Sequence, residues 1–99
     1  MIIIKKNIAD LNEKTNRYKV MLENALMDIK IIFPEDSYLY KISLDIKIMS
    51  NSYYNDGIYF MNNKDNVNAL ASFSYAYGWL DAGVRMGLFF VTKNNLFSI

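Results

Sequence analysis

The sequence predicts an all-α protein, an up-down-up three-helix bundle with a short extended C-terminal tail. Apolar residues recur at alternating spacings of three and four along most of the chain, which is the pattern of helices with one buried face. Two short breaks, at residues 33 to 36 and 62 to 65, divide the chain into three such segments. Connections this short favour antiparallel neighbours, so consecutive helices should run in opposite directions.

The first helix is predicted over residues 10 to 32. Its apolar positions form a heptad-like stripe in which Thr15 is the one polar member. Asp10 suits the positive end of a helix dipole. Pro34 disfavours helical geometry at the residue before it, which should end the helix near Ile32.

The second helix is predicted over residues 35 to 62, with its start between Pro34 and Ser37. Proline and the two acids that follow it are suited to a first helical turn. Asp56 occupies a position of the stripe where an apolar residue is expected. Gly57 costs about 1 kcal/mol relative to alanine inside a helix, so it indicates either a close contact or a kink.

The third helix is predicted over residues 65 to 87 and is the most apolar of the three. After the N-cap Asp65 it contains only two charges, Asp81 and Arg85. Gly87 suits a left-handed helix end. A helix that is apolar on two faces must be covered on both, so we expect this helix to pack against the other two.

The last twelve residues lose the helical period and are predicted to form the extended tail. Leu96, Phe97 and Ile99 are expected to dock on the bundle, either in their own chain or in a second copy. Neither a linker nor an internal repeat interrupts the sequence, so residues 1 to 99 are predicted to form a single three-helix-bundle domain.

Composition excludes several classes of function. The chain of 99 residues has no cysteine and no histidine, which removes disulfides, thiolate or imidazole metal ligands, and cysteine or histidine catalysis. A net charge of +1 gives no basis for a groove that tracks phosphates. A run of about 18 uncharged apolar residues, as a membrane span needs, is absent. We therefore expect a cytoplasmic protein that is not an enzyme and uses no cofactor or metal.

A few polar residues of the second and third helices are candidates for a structural or ligand-binding cluster. If these helices are antiparallel, residues at equal height have numbers that sum to about 127, which places Asp45 beside Asp81 and sets Asp56 about 15 Å away along the axis. Asp81 and Arg85 lie four apart and are expected to form a buried structural ion pair. Less favoured alternatives are an anion site on Arg85 and a Mg²⁺ site that adds Asp28. The second predicted cluster comprises Asp56, Lys14 or Arg17, and Tyr75.

Aromatic residues of the same helices are candidates for an interaction surface, because three helices cannot cover every ring of so short a chain. The small residues Gly78, Ala82 and Gly83 would admit a further helix, from the same chain or from a second copy. Nucleobase stacking is the alternative, but it normally needs interleaved cations, and this part of the chain has only Lys64 and Arg85. The five aromatic candidates are Tyr53, Tyr54, Tyr75, Tyr77 and Trp79.

A motif runs through the second half of the sequence: Tyr53 and Tyr54, Asp56 and Gly57, Phe60, Ala69 to Ala71, and Gly78 to Arg85. In this motif the segment from residue 52 to residue 89 resembles the DUF357 family, a group of small archaeal proteins of unknown function. The resemblance implies a three-helix bundle and assigns no active site. The chain departs from the family pattern at Lys64, where a glycine is expected. Because lysine adopts a left-handed backbone poorly, Asn63 is expected to take that conformation instead.

Exclusion of catalytic classes and the surplus of aromatic residues favour a non-enzymatic helical module for protein interaction or self-association. Its partners are expected to be further copies of the chain or another protein, and neither nucleic acid nor a membrane. The alternative hypothesis is a nucleotide- or RNA-binding module that uses Arg85 and the Tyr/Trp cluster.

Overall fold

Three helices make up most of the protein, whose computed structural model describes residues 2 to 93, with side chains from residue 10 onward. The helices are α1 (Ile2–Asp28), α2 (Tyr38–Asn62) and α3 (Asn66–Arg85). α3 packs against both other helices, whereas α1 and α2 contact each other far less. The predicted three-helix bundle is confirmed, and α3 is its central element. The predicted docking of the last tail residues, 96 to 99, lies outside the described residues.

α2 and α3 are antiparallel, in the register that the sequence predicts. The ring centroids of Tyr53 and Tyr75 are 4.9 Å apart. Those of Tyr54 and Phe73 are 6.0 Å apart. The residue numbers of these pairs sum to 128 and 127, so the tight turn after α2 sets the register as expected.

α1 runs parallel to α3. Near the start of α3, the Thr15 hydroxyl of α1 lies 3.4 Å from the carbonyl oxygen of Asn66 and donates more closely to Leu11, at 2.7 Å. At the other end, the Asp28 carboxylate accepts a hydrogen bond from the backbone N–H of Thr92, at 2.9 Å, in the tail that follows α3. The middle of α1 thus lies beside the start of α3, and the C-terminal end of α1 lies beside the tail that follows α3, which completes the up-down-up arrangement.

α1 differs from its prediction at both ends. It begins eight residues earlier than residue 10, because neither glycine nor proline interrupts that stretch, so Asp10 lies inside the helix. It ends at Asp28 and does not reach Ile32, because the following residues pair with the tail. The Lys30 N–H donates to the Phe90 oxygen at 2.9 Å and the Phe90 N–H donates back at 2.8 Å. This antiparallel bridge diverts the chain from the helix axis and confirms an extended tail up to residue 93.

Ser37 sets the start of α2, three residues later than predicted. Its hydroxyl oxygen accepts a hydrogen bond from the Tyr40 N–H at 3.1 Å, the usual N-cap interaction. Its own N–H donates to the Pro34 oxygen at 2.9 Å, so the proline and the two acids form a turn before the helix. The predicted end of α2 at Asn62 is confirmed.

The turn between α2 and α3 places Lys64, and not Asn63, in the left-handed conformation. Lys64 has φ of 59°, whereas Asn63 has φ of −95°. The reason is a hydrogen bond from the Asp65 N–H to the Phe60 oxygen at 2.8 Å, which closes the helix end with the left-handed residue just before Asp65. Asp65 is the predicted N-cap of α3 and accepts from the Asn68 N–H at 3.2 Å.

Gly87 ends α3 as the sequence predicts, although the helix itself stops at Arg85. Gly87 has φ of +77°. The Leu88 N–H then bonds to the Gly83 oxygen at 2.9 Å, and the chain turns back over the bundle. Leu88 and Phe89 are consequently buried, so the first residues of the tail belong to the core.

α3 contributes more of the core than any other element, with Phe73 and Leu80 fully buried. Both apolar faces of α3 were expected to be covered, but Val67, in the first turn, is 65% exposed. Val67 lies 17 residues before the buried Val84, and at 3.6 residues per turn this spacing rotates it by about 100° around the helix, away from the buried side. The buried apolar residues are Leu22, Ala25, Ile29, Ile46, Ala69, Phe73, Ala76, Leu80, Val84, Leu88 and Phe89.

Candidate functional site

The side of α3 that faces away from the core carries an open, apolar depression of about 360 Å³. We call it the α3 groove, and it is lined by Ser74, Tyr75, Gly78, Trp79 and Ala82. Tyr75 is 60% exposed and Trp79 is 36% exposed. A Cβ atom added at Gly78 would meet nothing within 4 Å, so the floor of the groove is open.

Helix period explains why the groove lies there. The fully buried residues of α3, such as Phe73, Ala76 and Leu80, recur at spacings of three and four on one side. Gly78 falls on the opposite side, and the two neighbouring helices cannot reach it. Tyr75 is held in place by the ring of Tyr53 on α2, at a centroid distance of 4.9 Å. One aromatic wall of the groove is therefore already ordered in a single copy of the chain.

The predicted ion pair is present beside the groove, at the surface of the protein. Arg85 Nε lies 3.4 Å from Asp81 Oδ2, and the side chain of Arg85 is 55% exposed while that of Asp81 is 18% exposed. An exposed guanidinium limits such a pair to about 1 kcal/mol or less. The expectation of a fully buried pair therefore does not hold for its arginine. Burial, followed by the charge of Asp81, raises the pKa of the nearby Tyr77 hydroxyl.

The other predicted acids do not gather around this pair into a metal site. Asp45 and Asp56 are both exposed. Asp28 instead binds the tail, where it accepts from the Thr92 hydroxyl and from the backbone N–H groups of Thr92 and Lys93. The hydrogen bond from the Thr92 side chain is the largest cause that lowers the pKa of Asp28, with burial acting against it. Within residues 10 to 93, no group of three carboxylates is placed to hold a metal ion.

Lys14 and Arg17, the predicted partners of Asp56, lie over the ring of Tyr18 on their own helix. Lys14 Nζ and Arg17 Cζ are each 5.9 Å from its centroid. Arg17 also forms an exposed ion pair with Glu13 at 3.2 Å. Among the described residues both cations therefore interact within α1, and neither forms an ion pair with Asp56 of α2.

The five candidate aromatics are distributed over different faces. Tyr75 and Trp79 line the α3 groove, and Tyr53 supports the first of them. Tyr77 is half-buried, and its hydroxyl interacts electrostatically with Tyr18 of α1, so it lies on the other flank of α3. Tyr54 faces a separate cleft. The groove thus gathers two of the five predicted residues directly and a third as support.

The cleft that contains Tyr54 lies between α1 and α2, and the sequence does not predict it. Its volume is about 390 Å³. The Tyr54 hydroxyl donates to the Glu23 carboxylate, which also pairs with Lys19 at 3.5 Å. Burial, then the hydrogen bond and charge of Glu23, raises the pKa of Tyr54 to about 12. The register of α1 against α2 depends on the irregular connection between them, which sequence period does not define. The lining residues are Glu23, Asn24, Leu26, Met27, Asn51 and Tyr54.

Tyr54→Phe is expected to destabilise the protein by about 1.5 to 3 kcal/mol at neutral pH, because it removes one hydrogen bond to a charged group. The folded-state pKa of Tyr54 lies near 12, above the ordinary value of 10.0, so the contribution is complete below pH 10 and is lost as the pH rises towards 12. Urea unfolding at pH 7 and pH 11.5 measures both effects. Tyr53→Phe is the matched control. It leaves the hydrogen bond between Tyr54 and Glu23 in place, so it should keep the loss of stability at alkaline pH. An alkaline loss of equal size in Tyr54→Phe would contradict the assignment.

The fold and its surface define a small three-helix domain with an open aromatic face on α3. The chain belongs to the DUF357 family, described as a protein of unknown function, which matches residues 17–89. The predicted family is therefore confirmed, and the match includes the whole α3 groove. Comparison with curated proteins found no match, and comparison with solved structures found none either. Among the described residues, none of the helices has the length and apolar character to cross a membrane.

Proposed function

We propose that the protein is a non-enzymatic, cytoplasmic module that self-associates through the α3 groove. The observation that carries the proposal is the contrast among three helical glycines. Added Cβ atoms at Gly57 and Gly83 would lie 2.3 Å and 2.5 Å from buried phenylalanine rings, so close packing within the chain explains both. At Gly78 a Cβ would meet nothing within 4 Å. A helical glycine costs about 1 kcal/mol relative to alanine, and close approach of another helix would explain why one stands there.

Apolar exposure around the groove supports a protein partner. Val67, in the first turn of α3, and Met86, the residue that follows its last turn, are 65% and 62% exposed, in addition to the two aromatic walls. Contiguous apolar surface that is open to water is typical of interaction sites. Tyrosine and tryptophan are the side chains that most often contribute strongly to such interfaces.

The distribution of charge favours a second copy of the chain as the partner. Arg85 is the one cation of α3, and it is paired with Asp81 four residues earlier. A nearly neutral face can meet its own copy without strong repulsion. A strand of RNA, in contrast, requires several cations along its phosphates.

One helical face buries an area at the low end of the range for specific complexes, so we expect a weak dimer that dissociates on dilution. Sedimentation equilibrium over a series of protein concentrations should show reversible association. Trp79 is the single tryptophan of the chain, so its fluorescence emission reports directly on the groove and should shift to the blue as the concentration rises.

Gly78→Gln is expected to weaken association by tenfold or more, because a long side chain would fill the floor of the groove. The fold should remain intact, since space at this position is open. Asn55→Gln, at an exposed position of α2, is the matched control and should associate like the unaltered protein.

Two results would contradict this function. The first is a protein that stays monomeric at millimolar concentration, and the second is equal association of Gly78→Gln and the unaltered chain. An excess of absorbance at 260 nm in the purified protein, lost on Arg85→Ala, would favour the nucleotide or RNA alternative instead.

A further inference from the structure

We infer that two α3 grooves pair in antiparallel orientation about a two-fold axis at Gly78. This inference rests on the proposed self-association and specifies the arrangement of the two copies. It follows from the spacing of the groove residues, the position of the charges and the side of α3 on which the aromatic walls lie.

On the open side of α3, small residues flank Gly78 at four residues in both directions. Ser74 and Ala82 lie four residues before and after it, and Ala71 and Arg85 lie seven residues before and after it. In an antiparallel pair centred on Gly78, Ser74 of each copy faces Ala82 of the other. Both residues are small, so the two helices can approach closely along this line.

The charges distinguish the two possible orientations. In a parallel pair, Arg85 would face Arg85 of the second copy, and Asp81 would face Asp81. In the antiparallel pair, Arg85 faces Ala71 of the second copy, and the two Arg85 residues are about 21 Å apart along the axis at 1.5 Å per residue. Like charges directly opposed across an interface are costly, which favours the antiparallel arrangement.

The aromatic walls fit the same symmetry. Tyr75 and Trp79 lie on the side of α3 that faces α2, because Tyr75 contacts Tyr53 there. A two-fold axis perpendicular to the helices brings this side of both copies to one edge of the interface. Along that edge Tyr75 of the first copy is followed by Trp79 of the second copy. Trp79 of the first copy and then Tyr75 of the second copy come next, and successive residues are about 3 Å apart along the helix axis. Both tryptophans become covered by aromatic neighbours.

Cysteine cross-linking tests the orientation, because the unaltered chain contains no cysteine. A disulfide requires Cβ atoms within about 4.5 Å. Gly78→Cys should therefore cross-link to itself at the axis under mild oxidation. Ser74→Cys and Ala82→Cys should each cross-link poorly alone, because equal residues are about 12 Å apart along the helix. An equimolar mixture of these two variants should give the mixed dimer at least tenfold faster than either alone. Asn55→Cys measures the rate of random collision.

The outcomes separate the orientation from the function. Efficient self-cross-linking of both Ser74→Cys and Ala82→Cys, with a poor mixed product, would show parallel helices and overturn the inference while the self-association stands. Association without cross-linking above the Asn55→Cys rate would overturn the assignment of the groove as the interface. Absence of association at any concentration would overturn the proposed function itself. The mixture leaves Gly78 unaltered, so the test does not depend on the tolerance of that position.

Discussion

Gly57→Ala is expected to destabilise the protein by about 2 kcal/mol or more, because the added methyl group overpacks the core. The new Cβ would lie 2.3 to 2.9 Å from three atoms of the Phe73 ring. Phe73 is fully buried, so its ring cannot move aside into solvent. The gain of about 1 kcal/mol from the helix propensity of alanine offsets part of the cost but does not reverse it. Urea unfolding monitored by circular dichroism measures the change.

Gly78→Ala is the matched control, since it makes the same substitution at another helical glycine. At dilutions where the chain is monomeric it should stabilise the fold by up to about 1 kcal/mol, because the methyl group meets open space. In the Gly57→Ala background, Phe73→Leu should cost less than it does in the unaltered protein, since the smaller side chain relieves the overlap. Equal effects of alanine at both glycines would show that Gly57 is not in close contact with Phe73.

Phe89→Ala is expected to destabilise the protein by about 3 to 5 kcal/mol, the usual range for removal of a buried phenylalanine ring. Phe89 is only 5% exposed, and its ring packs against Gly83 of α3. A loss of this size is a large part of the total stability of a small domain. Thermal and urea unfolding of the purified variant should show the decrease directly.

Phe90→Ala provides the control for this prediction, because the neighbouring ring is 51% exposed. Its backbone still pairs with Lys30 after the substitution, so the cost should stay below about 1 kcal/mol. Equal destabilisation of the two variants would show that Phe89 is not more buried than Phe90. If neither is destabilised, the tail does not belong to the core.

Most of the fold was predictable because it depends on local interactions. Three signals act within a few residues of their own position: the break at Pro34, the N-cap Asp65 and the left-handed Gly87. Pro34 separates α1 from α2, Asp65 starts α3 and Gly87 follows its end, each near the predicted position. The end of α1 was not predictable in the same way. The pairing of Lys30 with Phe90 joins residues sixty positions apart, and the helical period of the first segment carries no information about it.

The candidate site was predictable only in part. Exposed aromatic residues were expected on α3, and Tyr75 and Trp79 are exposed there. The sequence does not show which small residue stays uncovered, because Gly78 and Gly83 both lie in the same apolar helix. The return of the tail decides the matter, since Phe89 covers Gly83 and leaves Gly78 open.

The sequence by itself determined the number of helices, their order and the position of the turn between α2 and α3, because helical period and capping residues act locally. The motif of its second half determined the family. The tertiary structure alone decided where α1 ends, which glycine is covered, and that Asp28 holds the tail. These outcomes depend on the rotation of each helix about its axis and on contacts between distant residues. Both follow from the packing of the whole chain, which no single segment of the sequence encodes.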